Sequence, residues 1–201
     1  KNEEMESKDK INGICSENGE DLYSMEILKM VDLEKSKTKF NPPLTVLNPG
    51  ENLKMRPLSA DDYDKGFMLL LSQLTKIGNV THEEFLQRFY SMKSCSDSYY
   101  VTVIEDIKKH IIVGTATLFI EKKFIRQTGL RGRLEDVVVS NEYRGRQLGK
   151  LLVDSMRLLA EQLGCYKMTL DCRDQMVKFY SELGFSLEPG NSNVMTLRFH
   201  E

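Results

Sequence analysis

One long amphipathic helix held between two strands is the feature that most restricts how this chain can fold. The helix is predicted for the segment RGRQLGKLLVDSMRLLAEQLG. Its apolar residues recur every three or four positions, at Leu148, Leu152, Met156, Leu159 and Leu163. Strand-like segments, EDVVV and CYKMTLD, lie on either side of it. A strand, a helix and a second strand form a crossover unit, so we expect the two strands to lie parallel in one sheet.

The remaining segments predict that most of this sheet is antiparallel. A first strand, LKMRPLS, precedes two helices, ADDYDKGFMLLLSQL behind Ser59 and HEEFLQRFYSMK behind a capping box of Thr81 and Glu84. A hairpin follows, made of SYYVTVIED and IIVGTATLFIEKKF around the turn IKKH. After the crossover come a last helix, DQMVKFYSELG, and a last strand, NVMTLRF. The sequence therefore predicts an α/β domain of the mixed α+β kind, with helices flanking a mixed, mostly antiparallel central sheet.

Length and composition fit one globular domain. The chain has 201 residues, of which 40% are hydrophobic, and a net charge of −2 gives no indication of nucleic-acid or anionic-membrane binding. No apolar run is long enough for a membrane span, and the start, KNEEMESKDK, is too charged for a signal peptide. Residues 1–38 are polar and mostly aperiodic, so we expect a disordered or weakly ordered segment there and the folded domain at residues 39–201. Deletion of residues 1–30 is then expected to leave folding and activity nearly intact.

Cysteines and histidines give no sign of a metal site. The four cysteines form no C-x-x-C pair, and no cysteine–histidine cluster has zinc-ligand spacing. Without a secretory signal, the cysteines are expected to be reduced thiols of a cytoplasmic protein. The absence of H-E-x-x-H and G-x-S-x-G motifs argues against metal-dependent and serine-dependent hydrolysis.

The turn between EDVVV and the long helix is a candidate anion site, because a helix N-terminus presents unpaired N–H groups. A Walker A loop is one interpretation, but GRQLGKL is one residue short and Leu151 stands where a hydroxyl is needed. A dinucleotide fingerprint is another; Asp171 after the next strand favours it, but the glycine spacing does not. The third is the [QR]-x-x-G-x-[GA] turn of acetyl-CoA-dependent N-acetyltransferases, with Arg144, Gln147 and Gly149 in its places and Gln147 replacing the middle glycine. An exposed basic turn without a ligand also remains open.

Two long blocks resemble one family. GRLEDVVVSNEYRGRQLGKLLVD and CYKMTLDCRDQMVKFYSELGF closely resemble glucosamine 6-phosphate N-acetyltransferase, of the GNAT superfamily. Further similar stretches are MRPLS, FMLLLSQLTKIG, YYVTVIED and ATLFIEKKFI, so the resemblance covers residues 39–200. It implies the GNAT fold and acetyl transfer from acetyl-CoA to the 2-amino group of D-glucosamine 6-phosphate, on the route to UDP-N-acetylglucosamine. No metal is implied.

The resemblance also implies an acetyl-CoA site. The pyrophosphate is expected on the backbone of the helix start, and the pantetheine arm beside the preceding strand, with the N–H near Val137 donating to the thioester oxygen. Met176 stands where the family often has an asparagine that contacts CoA, and a thioether cannot donate that hydrogen bond. The cofactor-binding residues implied are Val137, Val138, Val139, Arg144, Gly145, Arg146, Gln147, Leu148, Gly149, Lys150, Met176 and Tyr180.

Four residues are implied to act at the reacting atoms. Tyr180 matches the tyrosine that faces the leaving thiolate, and a phenol stays protonated at neutral pH. Asp171 matches an acid that orients the amine. Glu135 and Asp136 match a substrate-contacting pair, of which the backbone or a carboxylate can help to take the proton. Strand alternation sends neighbouring side chains to opposite faces, so both can enter one pocket only if the strand bulges here.

Binding of the sugar phosphate is implied at a scattered set of residues. They are Lys123, Phe124, Ile125, Arg126, Glu135, Asp136, Val137, Tyr166, Lys167, Asp171 and Arg198. The family is homodimeric, with each site shared between subunits near the C-terminal strand, so some contacts are expected from a partner chain. Two other functions stay open: a GNAT enzyme that acetylates a different amine, and a CoA-binding module without catalysis.

Overall fold

A five-stranded mixed sheet organises the computed structural model, which describes residues 20–190 and 194–199. The strands lie in chain order, so each is hydrogen-bonded to its neighbour in sequence. The first four are antiparallel, and the last pair is parallel. The strands are β1 (Leu53–Pro57), β2 (Tyr99–Asp106), β3 (Ile111–Lys122), β4 (Leu130–Val139) and β5 (Cys165–Thr169). The predicted fold class and the parallel crossover are confirmed.

Helices cover both faces of the sheet. On one face, α5 buries Leu152, Met156 and Leu159 against a core that includes Leu118 and Leu134. On the other, α2 and α3 bury their phenylalanines against β2 in a second core. The helices are α1 (Met25–Lys29), α2 (Phe67–Leu71), α3 (His82–Ser94), the short turn α4 (Ile125–Thr128), α5 (Leu148–Gln162) and α6 (Val177–Glu182).

The helix α5 forms where its apolar periodicity predicts it, but it begins three residues later than the expected start at Arg144 to Gly145. Gln147 precedes it with a left-handed φ of 62°, which an α-helix cannot include, so the first helical residue is Leu148. Gly164 ends it with a φ of 83°. Burial of each leucine or methionine of this helix contributes about 1.5–3 kcal/mol, so α5 is a main anchor of the sheet.

Two other predicted elements differ from the structure. The helix expected behind Ser59 is divided into a 3₁₀ turn, Ala60–Tyr63, and α2, because Gly66 has a left-handed φ of 78° between them. The last predicted strand is wrong for its described part, since residues 194–199 form no strand there. A strand requires a neighbour for its backbone groups, and these residues are exposed on this single chain. By contrast, α3 and its capping box of Thr81 and Glu84 are confirmed.

Residues 20–38 of the N-terminal segment pack against the domain, which differs from the disordered or weakly ordered segment expected up to residue 38. Leu28 is fully buried, and Leu22 and Val31 are nearly so. The hydroxyl of Tyr23 is hydrogen-bonded to Thr102 Oγ1 at 2.5 Å. The expectation failed because these apolar side chains are too few and too irregularly spaced to show a helical period. Residues 1–19 of the predicted weakly ordered segment lie outside the described residues.

Three features are absent from the part of the chain that the structure describes. No helix there is long and apolar enough to cross a membrane. No group of three or more histidine, cysteine or acidic side chains is arranged to hold a metal ion. Cys95, Cys165 and Cys172 are free thiols.

Candidate active site

The parallel strands β4 and β5 separate halfway along β4. Their pairing begins at Leu130 and Cys165 and ends at Arg133 and Thr169. Beyond that point, residues 134–139 pair only with β3 among the described strands. One edge of their backbone is therefore open to an extended ligand, which could hydrogen-bond to it like an additional strand. We call this space the strand opening.

A β-bulge interrupts β4 within the strand opening. Thr117 pairs with Glu135, but Thr115 already pairs with Val138, so Asp136 and Val137 together oppose one residue of β3. Asp136 has a left-handed φ of 50°, and this backbone turn accommodates the extra residue of the bulge. The bulge that two adjacent carboxylates require is thus present.

The bulge brings Glu135 and Asp136 to the same face of the sheet. Glu135 lies opposite Thr117, and directly paired residues share a face. Thr117 and Asp136 both line a cavity of about 620 Å³ between the sheet and helices α2 and α3. Partial burial, and then the charge of Glu135, raise the pKa of Asp136 above its ordinary value. Asp136 therefore holds a proton more readily than an isolated aspartate.

Arg133 joins this pair to the third predicted acid. Its guanidinium donates to Glu135 and to Asp171, which follows the end of β5. These hydrogen bonds raise the pKa of Arg133, and the bond to Glu135 has the larger effect. Arg133 was not among the site residues predicted from the sequence. Alternation along β4 places Arg133 and Glu135 on one face, but the approach of Asp171 depends on the register of β4 and β5.

The other end of the strand opening meets the start of α5. The N–H groups of Leu148, Gly149 and Lys150 belong to the first turn, and the first bond back to the helix start runs from Leu151 N to Gln147 O at 3.0 Å. The first turn of an α-helix has no earlier carbonyls to bond, so its amides are available to an anion. Gly145, with a φ of 80°, sets the turn before it.

The predicted basic residues of this turn differ in their surroundings. Arg144 is exposed. Arg146 lies over the ring of Tyr143, with its guanidinium carbon 4.7 Å from the ring centre. The ammonium of Lys150 is 3.4 Å from a carboxylate oxygen of Glu182 on α6. All three cations lie within a few residues of the free amides of α5, so the turn combines main-chain donors with positive charge.

Tyr180 lies on α6, at the apolar side of the strand opening. Its ring is half-buried and packs edge-on against Phe179 and Phe185, at centroid distances of 5.0 and 6.0 Å. Tyr180, like Val137 and Val139, is partly buried and packs against the core under α5. Burial raises the pKa of Tyr180, and a neighbouring charge on Cys172 would raise it further. The hydroxyl therefore stays protonated at neutral pH.

Met176, the residue that replaces a CoA-contacting asparagine of the family, shows no free hydrogen-bond donor. It precedes α6 and is half-buried. Its N–H donates to the carbonyl of Arg173 at 2.8 Å, so its main-chain donor is already used.

A second cavity, of about 650 Å³, collects several of the predicted sugar-phosphate residues. Ile125, Arg126, Tyr166 and Lys167 line it, together with Arg131 and Glu188, which were not predicted from the sequence. Arg131 also forms an ion pair with Glu121, and the three cations of the lining outnumber its one carboxylate. The guanidinium of Arg126 lies 5.9 Å from the ring centre of Tyr166. Cations on several elements make this cavity suitable for an anionic group. We call it the cationic cavity.

The backbone below the cationic cavity is unusual. Three consecutive residues that are not glycine, Arg126, Gln127 and Thr128, have left-handed φ angles of 56°, 56° and 58°. Such angles cost free energy for residues with a side chain, and strained backbone is concentrated at ligand sites.

Other predicted sugar-phosphate residues lie outside the cationic cavity. Lys123 forms an ion pair with Glu121, and Phe124 is 97% exposed. Arg198 is exposed in the C-terminal segment. The cationic cavity is also far from Asp136 in the strand opening. Arg131 and Asp136 are five positions apart on β4, about 15 Å at the usual rise of a strand.

The strand opening has the parts that an extended thioester ligand requires. An open strand edge can hold an amide-containing arm, and the amides and cations at the start of α5 can hold its phosphates. A protonated phenol and three carboxylates lie where the reactive end of such a ligand would meet a second substrate. This arrangement can carry acyl transfer, with the acids available to an amine and the phenol to a leaving sulfur.

Comparisons with known proteins agree with this chemistry. The model of the acetyltransferase (GNAT) family matches residues 67–185. A probable glucosamine 6-phosphate N-acetyltransferase from Drosophila melanogaster is 55% identical over 181 residues, covering 90% of this chain and 82% of the relative. Glucosamine 6-phosphate N-acetyltransferase 1 from Dictyostelium discoideum is 43% identical over 135 residues, covering 67% of this chain and 85% of the relative.

A solved structure extends the similarity to the fold. The crystal structure of glucosamine-6-phosphate N-acetyltransferase from Arabidopsis thaliana superimposes with a TM-score of 0.70 at 41% sequence identity. The match covers 74% of this chain and 99% of that one.

Proposed function

Because this chain belongs to the acetyltransferase (GNAT) family, we propose that it transfers the acetyl group of acetyl-CoA to the 2-amino group of D-glucosamine 6-phosphate. The product, N-acetyl-D-glucosamine 6-phosphate, feeds the synthesis of UDP-N-acetylglucosamine. The observation that carries the proposal is the bulged pair Glu135 and Asp136 beside the strand opening, in a chain 55% identical to a relative named for this reaction.

Acetyl-CoA binds along the strand opening in this proposal. The pyrophosphate lies on the amides from Gly145 to Lys150, with Arg144 and Arg146 adding charge. The pantetheine arm lies against the open edge of residues 137–139. The thioester oxygen accepts a hydrogen bond from the N–H at Val137. A main-chain donor aimed at the developing oxyanion stabilises the transition state more than the ground state.

The amine of the sugar must lose a proton for its nitrogen to bond the acetyl carbon. Asp136 lines the cavity under α2 and α3, and Glu135 lies on the same face of the sheet, so we propose that the amine approaches from that side. The raised pKa of Asp136 favours it as the acceptor of the proton. Asp171, held by Arg133, orients the amine from the other edge.

The carbon–sulfur bond breaks as the new carbon–nitrogen bond forms, and the sulfur of CoA leaves as a thiolate. We propose that Tyr180 donates a hydrogen bond or a proton to this sulfur. Its half-buried ring and raised pKa support the role, because the hydroxyl keeps its proton until charge develops on the sulfur.

The position of the cations supports an active site shared between two copies of the chain. The cationic cavity and Asp136 of the same subunit, the proposed proton acceptor, are separated by about 15 Å along β4. A hexosamine phosphate is one sugar ring with a phosphate on its side arm, which is much shorter. We therefore propose that Arg126, Tyr166 and Lys167 of one subunit bind the phosphate of a substrate whose amine lies at the acids of the other.

The C-terminal segment supports the same homodimer. Four apolar side chains of residues 194–199 are exposed, at Val194, Met195, Leu197 and Phe199. Phe124 and Leu187 add exposed apolar surface. A large apolar area of this kind is uncommon on a monomer and marks an interaction surface. Pairing with a second copy would also supply the neighbour that the predicted last strand requires, and would bring Arg198 to the shared site.

We propose a cytoplasmic location, which is supported by the free thiols of the three cysteines that the structure describes, Cys95, Cys165 and Cys172. No metal is required by the proposed reaction.

One assay tests the proposed function. Release of free thiol from acetyl-CoA is measured with glucosamine 6-phosphate, glucosamine, spermidine and a lysine peptide in parallel. The proposal expects the phosphorylated sugar to be the best acceptor. A preference for spermidine or the peptide would assign a different amine. Binding of acetyl-CoA without thiol release for any acceptor would indicate a non-catalytic module.

A further inference from the structure

Gln147 occupies an unusual backbone position in the turn that precedes α5. Its φ of 62° and ψ of 11° are left-handed, a conformation that costs free energy for any residue except glycine. The N-acetyltransferase turn has a glycine at this position. This chain therefore keeps the left-handed backbone without the residue that adopts it most easily, and something else must stabilise it.

The side chain of Gln147 provides that stabilisation. Its Nε2 donates to the carbonyl of Asn41 at 2.8 Å, and its Oε1 accepts from the N–H of Asn41 at 3.3 Å. Both ends of the amide are thus paired with the backbone of a single residue more than a hundred positions away in sequence. A glycine could not make either bond.

The pairing of Asn41 with Gln147 is one of three side-chain hydrogen-bonded contacts, among the described residues, between the N-terminal segment and α5 or the turn before it. Gln162, at the end of α5, donates to the carbonyl of Met30 at 2.5 Å. The hydroxyl of Ser36 donates to the buried carboxylate of Asp154, in the middle of the helix. The segment from Met30 to Asn41 therefore runs along α5 in the direction opposite to the helix and reaches the free amides of its first turn.

We propose that Gln147 is a positioning residue for acetyl-CoA, whose paired amide holds the turn before α5 in the left-handed form that presents its amides to the pyrophosphate. Residues 30–41 are then part of the cofactor site, although they are not expected to touch the cofactor. The inference rests on the proposed function, because it concerns the affinity of the same acetyl-CoA site.

Two substitutions separate the backbone conformation from the amide pairing. Gln147→Ala removes both hydrogen bonds and keeps the cost of the left-handed backbone. Gln147→Gly removes both hydrogen bonds but adopts the left-handed backbone freely. Gln162→Ala is the matched control, because it breaks a contact of the same segment with the same helix about 22 Å away, at 1.5 Å per residue.

The measurement is the dissociation constant of CoA by titration calorimetry, with the melting temperature of each variant. We expect about a tenfold increase for Gln147→Ala and a smaller one, about threefold, for Gln147→Gly, because both variants lose the amide pairing but only alanine keeps the cost of the left-handed backbone. The KM for acetyl-CoA should rise in the same order. Gln162→Ala should lower the melting temperature and change the dissociation constant by less than about twofold.

Each outcome decides the inference. Wild-type affinity of Gln147→Ala would overturn it, as would equal weakening by Gln162→Ala, which would mean that only the general anchoring of the segment matters. Wild-type affinity of Gln147→Gly beside a weak Gln147→Ala would show that the backbone angle suffices and the amide pairing is irrelevant. A wild-type protein that does not bind CoA at all would contradict the proposed function itself, and the inference with it.

Discussion

Glu135 and Asp136 are adjacent in sequence, yet their side chains lie on the same face of β4, because the bulge at Asp136 adds one residue to the strand. A regular strand would have sent one of them into the core under α5. The bulge therefore places two adjacent carboxylates on one face of the sheet. They lie in the part of β4 that no longer pairs with β5.

Asp136→Asn should separate activity from stability. The asparagine keeps the size of the side chain but cannot accept the proton of the amine, so kcat/KM should fall by about 100-fold or more. The folded state raises the pKa of Asp136, so its ionised form destabilises the fold at neutral pH. The variant should thus melt at a higher temperature than the wild type at pH 7, and this difference should shrink as the pH is lowered. Reduced activity together with reduced stability would point to a structural role instead.

The pH profile of the wild-type enzyme tests the same carboxylate without a mutation. If Asp136 accepts the proton, kcat/KM should decrease as the pH falls through its raised pKa, at a higher pH than an ordinary aspartate would give. The decrease should be absent from the small residual activity of Asp136→Asn. An unchanged profile in that variant would assign the titration to another group.

The N-terminal segment should contribute strongly to stability, so deletion of residues 1–30, expected from the sequence to be tolerated, should instead destabilise the fold, because it removes the buried Leu22 and Leu28. Leu28 is fully buried in the core that contains α5, so Leu28→Ala should lower the free energy of unfolding by about 2–5 kcal/mol, from lost burial and the cavity left behind. Urea denaturation measures this change. Met30→Ala is the control on the same segment, because Met30 is 51% exposed and its replacement should change stability by less than about 0.5 kcal/mol. Equal effects of the two variants would contradict the packing of this segment.

The cationic cavity should act on the phosphate of the substrate and not on acetyl-CoA. Arg126→Ala should raise KM for glucosamine 6-phosphate by about tenfold or more, since a charge-assisted hydrogen bond is worth about 1.5–3 kcal/mol. It should hardly affect the slow acetylation of glucosamine, which lacks the phosphate. Lys108→Ala removes an exposed cation from another part of the surface as a control. If Arg126→Ala weakened the use of both sugars equally, the cavity would not be the phosphate site.

Much of the fold follows from local patterns in the sequence. The period of α5, the capping box of Thr81 and the hairpin of β2 and β3 each depend on residues close together in the chain, and each is confirmed. The turn before α5 was also found from the sequence, although Gln147 delays the start of the helix.

The features that the sequence did not reveal depend on distant contacts. The approach of Arg133 to Asp171 depends on how β4 and β5 pair, and the pairing of Gln147 with Asn41 links positions far apart in sequence. The order of residues 20–38 depends on a groove formed by other elements, into which a few irregular apolar side chains fit. A strand predicted near residue 197 has no neighbouring strand among the described residues of one chain, so its pattern alone could not decide its structure.

The account depends most on the claim that the thioester reacts in the strand opening, beside the hydroxyl of Tyr180. Tyr180→Phe removes that hydroxyl and keeps the ring that packs on Phe179 and Phe185, so the fold and CoA binding should survive. A hydrogen bond to the leaving sulfur acts mainly in the transition state, so the loss should fall on kcat. Tyr99→Phe is the control, because its half-buried ring packs on Phe119 at the same centroid distance of 5.0 Å.

The decisive measurement is kcat for acetyl transfer to glucosamine 6-phosphate by Tyr180→Phe, with calorimetry of CoA binding on the same sample. The account predicts a kcat lower by about tenfold to several hundredfold, a KM for acetyl-CoA close to that of the wild type, and less than about a twofold effect of Tyr99→Phe. A Tyr180→Phe variant that binds CoA normally and keeps the wild-type kcat would contradict the account, because the hydroxyl would then take no part in the departure of the thiolate.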